Sequence, residues 1–148
     1  MNVNTLNPTG TALYTMEKAI KLYRKHCQKN IDSNFSNITV DQCLLLICLR
    51  KRPDLNQMQL ANLIFKDKAS VTRILNLLVK KDYVNKIQDL KDKRKHKLEI
   101  SSTGEELLTH LEPIFLLNRQ QALNNFTNDE KNILETLLMK IIKNCGGA

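Results

Sequence analysis

Two arginines set among lysines carry the chemistry of this sequence. Arg73 follows Ser70 and Thr72 in a segment of helical periodicity, and Arg94 stands in Lys91-Asp-Lys-Arg-Lys-His96, a run with no apolar residue to bury. A guanidinium presents a planar fork of donors that matches a phosphate or the O6/N7 edge of guanine, whereas an ammonium neutralises a phosphate as a point charge. From Lys66 to Lys97 the chain holds eleven basic residues against four acids (Asp67, Asp82, Asp89, Asp92), and elsewhere it holds twelve against eleven. Nearly all of the formal net charge of +8 therefore lies in one stretch. A footprint confined in this way suits a polyanion, because each phosphate neutralised releases condensed counterions and adds salt-dependent affinity. A solvated basic face would have the same composition, so the elements around it must decide.

Those elements read as follows. Leu13, Met16, Ile20, Tyr23 and Cys27 recur at intervals of three and four, predicting an amphipathic helix from Thr11 to Ile31. Thr39-Val-Asp-Gln42 has the form of a capping box and opens a helix over roughly 40–51, stopped by Pro53. Asn56 can cap a third, short helix that reaches about Phe65. After a polar break at Lys66-Asp67-Lys68, a fourth helix from Ala69 to Lys81 buries Val71, Ile74, Leu75 and Leu78 and turns Ser70, Thr72, Arg73 and Asn76 outward. Two helices this close, the second exposing small polar groups and an arginine near its start, form a helix-turn-helix whose second member enters the major groove. The period then loosens to an alternation, Val84 and Ile87 facing Leu98 and Ile100 across a polar tip, which predicts a β-hairpin projecting its basic end into solvent as a wing.

The C-terminal third returns to helix. The Ser101-Ser102-Thr103 run caps a segment carrying Leu107, Leu108, Leu111, Ile114 and Phe115, with Pro113 expected to kink or interrupt it. Thr127-Asn-Asp-Glu130 opens a last helix carrying Ile133, Leu134, Leu137, Leu138, Ile141 and Ile142. These helices and the first lie outside the compact winged core, so their apolar faces are expected to pack against a second copy of the chain. The fold class is mainly α, a winged helix-turn-helix core with a two-stranded wing flanked by dimerisation helices. Residues 1–36 and 105–148 would form the dimerisation region and 37–104 the DNA-binding domain.

Other classes find less support. No apolar run spans a bilayer, and Met1 to Gly10 is polar and uncharged, so neither a membrane segment nor a secretory leader is expected and the chain is read as cytoplasmic. Cys43 and Cys48, five apart, are turned about 140° from one another on a helix, and none of the four cysteines has zinc spacing, so no metal site is expected. They read as reduced core residues, with Cys27, between Lys25 and Lys29, and Cys145, near Lys143, left open as redox-sensing thiols. No phosphate loop, metalloprotease motif or nucleophile elbow is present, and His26, His96 and His110 are far apart, so neither catalysis nor a cofactor is expected. A winged-helix module binding protein or RNA is the alternative. Its stacking platforms are missing, since Tyr83 is the one aromatic besides His96 between Lys66 and Lys97.

Gln59-Leu-Ala61, Lys68-Ala-Ser-Val-Thr-Arg73, Leu78-Val-Lys-Lys-Asp-Tyr-Val84, Asp92-Lys-Arg94 and Leu98-Glu-Ile-Ser-Ser-Thr-Gly104 together resemble the MarR family of winged-helix transcription regulators. The resemblance implies a homodimer on a pseudo-palindromic double-stranded operator, acting as a repressor. Carried over by position, Ser70, Thr72 and Arg73 meet bases and phosphates while Arg94 enters the minor groove with Asp92 orienting it. Lys66, Lys68, Asn76, Lys93 and Lys95 complete the expected DNA-binding set. It further implies a small-molecule effector, for which Tyr14, Tyr23, Arg24 and His26 would line a cleft. At Asp82, where the family commonly has glycine, a local adjustment of the helix end is expected.

Overall fold

The computed structural model describes residues 7–148; residues 1–6, part of the polar start read above, lie outside the described residues. After a 3-10 turn at Pro8–Gly10 come α1 (Ala12–Asp32), α2 (Val40–Lys51), α3 (Gln57–Leu63) and α4 (Lys68–Lys80). A hairpin of β1 (Val84–Gln88) and β2 (His96–Ile100) follows, then α5 (Ser102–Ala122) and α6 (Asn128–Asn144). Local chemistry starts each helix. Thr11, Asp67 and Ser101 accept from the backbone N–H three residues on, and complete capping boxes stand at Thr39/Gln42, Asn56/Gln59 and Thr127/Glu130. Such caps satisfy N–H groups that the helix itself leaves without partners, each at about 0.5–2 kcal/mol. The fourth helix begins one residue earlier than its periodicity suggests, because Asp67, read as part of a polar break, is its cap.

Pro113 does not interrupt α5, which runs unbroken through it. Proline removes one N–H and so strips the Thr109 carbonyl of its helical donor. Both residues are exposed, and water can take the place of the missing bond.

α2 is the axle of the core. Cys43, Leu45, Leu46 and Leu49 pack with Ile31 of α1, Leu60 and Ala61 of α3, Val71, Leu75 and Leu78 of α4, Val84 of β1, and Leu107, Leu108 and Leu111 of α5. Removing a buried leucine or isoleucine side chain of this kind from water contributes about 1.5–3 kcal/mol. The hairpin is antiparallel, with Val84 opposite Ile100 and Gln88 opposite His96. Its base is pressed against the start of α5, where a Cβ on Gly104 would stand 2.3 Å from the Tyr83 carbonyl oxygen.

Both reading-head helices end in the same motif without glycine. At the end of α4 the Asp82 N–H donates to the Val79 carbonyl and the Tyr83 N–H to the Leu78 carbonyl, with Asp82 at φ 62°. At the end of α3 Phe65 adopts φ 59° while its N–H donates to Asn62 and the Lys66 N–H to Ala61. The expected adjustment at Asp82 does not occur: the chain adopts the left-handed conformation outright, and the Ser101 hydroxyl holds the Asp82 carbonyl at 2.5 Å. Left-handed strain costs an L-residue roughly 1–2 kcal/mol and glycine loses about 0.5–1 kcal/mol in chain entropy, so Asp82→Gly should stabilise by up to about 1 kcal/mol in urea unfolding. A loss of stability would mean that the Asp82 side chain holds the helix end.

Two features depart from a simple apolar core. Asn118 of α5 is fully buried, its Oδ1 accepting from Asn30 of α1 at 2.6 Å, and its Nδ2 has no partner among the described residues. In contrast, α6 buries no residue at all, and Ile133, Leu134, Leu137, Leu138, Met139 and Ile142 are exposed along it. Leu13, Ile20 and Leu22 of α1 and Leu116 and Leu117 of α5 are likewise exposed.

Candidate nucleic-acid interface

α4 is anchored by Val71, Leu75 and Leu78, with Ile74 half-buried beside them, which leaves Arg73 and Asn76 exposed on the opposite side. Its first turn is a hydrogen-bonded chain. Asp67 Oδ1 accepts from the Ser70 N–H at 2.8 Å, the Ser70 hydroxyl donates to Asp67 Oδ2 at 2.7 Å, and Arg73 Nη2 donates to Ser70 Oγ at 3.2 Å. Arg73 is thus oriented by a serine that is itself held by the cap. Thr72 Oγ1 lies 2.7 Å from Gln57 Oε1 of α3 and 2.9 Å from the Lys68 carbonyl, so its single proton is already engaged. Lys68 is exposed. Lys66 is not free: its Nζ is 3.1 Å from Asp41 Oδ2 at the start of α2, and Asp41 Oδ1 also accepts from Arg24 Nη2 at 2.5 Å.

The wing tip is built around two aspartates. Asp89 Oδ1 accepts from the N–H groups of Lys91 at 2.7 Å and Asp92 at 3.3 Å, the Asp89 N–H donates to the Lys95 carbonyl, and Gln88 Nε2 donates to the Lys93 carbonyl. Asp92 Oδ1 accepts the Arg94 backbone N–H at 3.0 Å. Asp92 therefore sets the direction of the chain at Arg94 rather than gripping its guanidinium. Lys91, Lys93, Arg94 and Lys95 are exposed and form no ion pair among the described residues, while Lys97 pairs with Glu99 at 2.8 Å. The result is a folded turn with four outward cations.

Backbone donors also set the acidity of the two scaffold carboxylates. The Ser70 hydroxyl and N–H hold Asp67 below the usual carboxylate range, and the N–H groups of Lys91 and Asp92 do the same for Asp89. A lowered value means that these turns are at full strength above the ordinary carboxylate pKa and weaken as pH falls through the folded one. Amide exchange at Lys91 and Asp92 should therefore accelerate in acid beyond its intrinsic pH dependence, and Asp89→Ala should reproduce that loosening at neutral pH where Asp89→Asn does not. Equal protection in Asp89→Ala would remove Asp89 from this role.

The four cleft residues do not converge within one chain. Tyr14 and His26 line adjoining shallow depressions on α1 that share Leu22 and Lys25, Arg24 is committed to Asp41, and Tyr23 lies against Cys27 and Arg119. His26 Nε2 stands 2.7 Å from Gln121 Oε1 of α5. Of the cysteines, Cys27 is buried, Cys145 is exposed, and burial pushes the Cys43 thiol up to about 12 and raises Cys48 as well. Asp67, Asp89 and Gln57 escaped the sequence reading as site-building residues. The first two had a local signal, an aspartate just before a periodic segment and another at a turn, whereas Gln57 acts across two helices. Among the described residues no helix is long and apolar enough to cross a membrane, and no cluster of His, Cys, Asp or Glu could hold a metal.

Residues 38–96, from the end of the α1–α2 connection to the second wing strand, match the model of the MarR family. The chain is 27% identical over 115 residues to an uncharacterised HTH-type transcriptional regulator, YybA of Bacillus subtilis, covering 78% of this chain and 77% of YybA. Among solved structures, a mutant MarR from E. coli complexed with operator DNA aligns with TM-score 0.80 at 22% identity, over 96% of this chain and 99% of that one. Bordetella bronchiseptica BpsR, described for the regulation of its DNA binding by 6-hydroxynicotinic acid, aligns with TM-score 0.79 at 19% identity, over 90% and 94%. The segment that matches the MarR family model spans both the cap-built reading helix and the aspartate-scaffolded tip of the basic wing, and the chain as a whole shares its fold with these structures.

Proposed function

We propose that the chain is a sequence-specific double-stranded DNA-binding transcription regulator of MarR type, a cytoplasmic homodimer without catalytic activity that represses its targets. The observation that carries this reading is the pairing of α4, with Arg73 and Asn76 outward, and a wing tip with four outward cations. In this reading α4 lies in the major groove, Arg73 and Asn76 read base edges, and Ser70 and Thr72 serve mainly to fix α4 and Arg73. Arg94 enters the flanking minor groove, where negative potential is strongest, and Lys68, Lys93 and Lys95 meet phosphates. Residues 37–104 form the reading unit and 1–36 with 105–148 the dimerisation unit, joined through the exposed apolar faces of α1, α5 and α6.

The fold shared with an operator-bound MarR supports DNA as the partner, and the fold shared with BpsR supports a small effector that modulates affinity. Because Arg24 is tied to Asp41 and the depressions at Tyr14 and His26 are shallow, an effector site would draw on the partner copy as well. Oxidation is a second input, for which Cys145 is the exposed thiol.

Recovery of genomic fragments bound by the purified protein tests the reading. The expected product is a pseudo-palindromic consensus bound with an affinity that falls linearly in log–log salt dependence. Enrichment without a consensus, or preference for single-stranded RNA, would replace it with an interaction-module function.

A further inference from the structure

We infer that Asp41 is a positioning residue that determines which half-site spacing the dimer accepts. The inference rests on the dimeric operator-binding reading. One carboxylate joins three elements: Oδ1 accepts from Arg24 of α1 at 2.5 Å, Oδ2 holds Lys66 of the α3–α4 turn at 3.1 Å, and Asp41 itself sits in the first turn of α2. All three groups are shielded in part, with side-chain exposures of 42% for Arg24, 33% for Lys66 and 22% for Asp41. A lysine in the basic stretch is thereby turned away from phosphate duty and into the frame of the molecule.

Where the clasp sits gives it its role. α1 is fastened to the reading head near its C-terminal end by Ile31 in the core and by Gln28, which donates to the Ile38 carbonyl and accepts from the Val40 N–H, both at 2.9 Å. Arg24 lies about one turn earlier, and toward the N-terminus from there α1 shows exposed Leu22, Ile20 and Leu13. Among the described residues the Arg24–Asp41–Lys66 clasp is thus the last polar tie between α1 and the head before α1 becomes the surface assigned to the partner. It fixes the angle between the dimer helix and the turn that opens α4. In a two-fold dimer that angle is applied twice, so a small rotation about the clasp changes the separation of the two reading helices. Arg50, bridged to Glu105 and Glu112, ties α2 to α5, and Asn30 and His26 tie α1 to α5 through Asn118 and Gln121, whereas the Asp41 clasp joins α1 to the turn that opens α4.

Spacing preference is the readout that tests the clasp. The probe is the duplex that wild-type protein selects from a randomised pool, compared with versions carrying one base pair more or fewer at the dyad. Such a change turns one half-site by about 34–36° and shifts it by about 3.4 Å. Wild-type binding should weaken by roughly tenfold or more on the altered spacings, on the scale of losing one base contact per site. Asp41→Asn should bind all three duplexes within about threefold of one another, and Asp41→Glu should restore the preference, because an ionised carboxylate is what gathers two cations. Arg24→Ala and Lys66→Ala should each relax it in part. Uniformly weaker binding by Asp41→Asn with the spacing preference intact would overturn the inference, leaving Asp41 a stability residue. So would a wild type that binds duplex without regard to spacing. A wild type that selects no duplex at all would instead bring down the operator-binding reading, and this inference with it.

Discussion

Leu134→Glu combined with Leu138→Glu is expected to yield a folded monomer whose operator affinity is lower by a factor on the order of 10²–10⁴. Both leucines are exposed on α6, a helix with no residue buried in its own chain, so the substitutions disturb nothing in the core around α2. An apolar face of this extent on a single chain implies a covering partner, and placing two carboxylates in that contact leaves charges desolvated without counter-charge. DNA affinity falls because the second head no longer benefits from the high effective concentration that linkage to the first provides. Light scattering would give the mass, circular dichroism the helix content, and a binding titration the affinity. An intact dimer would place the interface elsewhere, and loss of helix content would mean that α6 packs against its own subunit.

The second large effect concerns the two arginines. Arg73→Ala and Arg94→Ala should each weaken operator binding by about 1–3 kcal/mol per protomer, roughly 5- to 150-fold per half-site, with thermal stability unchanged. Neither guanidinium is part of the core: Arg73 is exposed and donates to the Ser70 hydroxyl at 3.2 Å, and Arg94 is exposed and fixed through its backbone by Asp92 at 3.0 Å. Salt dependence separates their roles. A phosphate contact lowers the slope of log affinity against log salt by about one per contact and weakens all sequences alike, whereas a base contact relaxes specificity at one position. If Arg73 reads guanine, Arg73→Lys should rescue little, since an ammonium lacks the bidentate fork. Unchanged affinity in both variants would remove these residues from the interface.

What could be read along the chain was whatever depends on neighbours three or four residues apart. The Thr39, Asn56 and Thr127 caps are closed by partners within one turn, so their side chains announce the helices they start. The buried stripe of α4 and the hairpin ending in an all-polar run are periodic signals of the same short range. Even the misses at Asp67 and Asp89 were of this kind, because each closes a hydrogen bond to a residue two or three positions on.

Tertiary structure decided which polar side chains remain free to act. Asp41 meets a cation 17 residues before it in Arg24 and another beyond it in Lys66, and Asn30 meets a buried Asn118 that is 88 residues away. No spacing rule carries such pairs, because their partners become neighbours only after α2 has been enclosed. Folding likewise gave Arg24 a partner in Asp41 and His26 one in Gln121, which their place on one helix did not announce. Asp82 shows the same limit in the backbone: local preference disfavours its left-handed turn, but the closed helix end and the Ser101 hydroxyl hold it there. Elements arise from short-range bonds that the sequence states directly, whereas the availability of a charge depends on what three dimensions bring within about 4 Å of it.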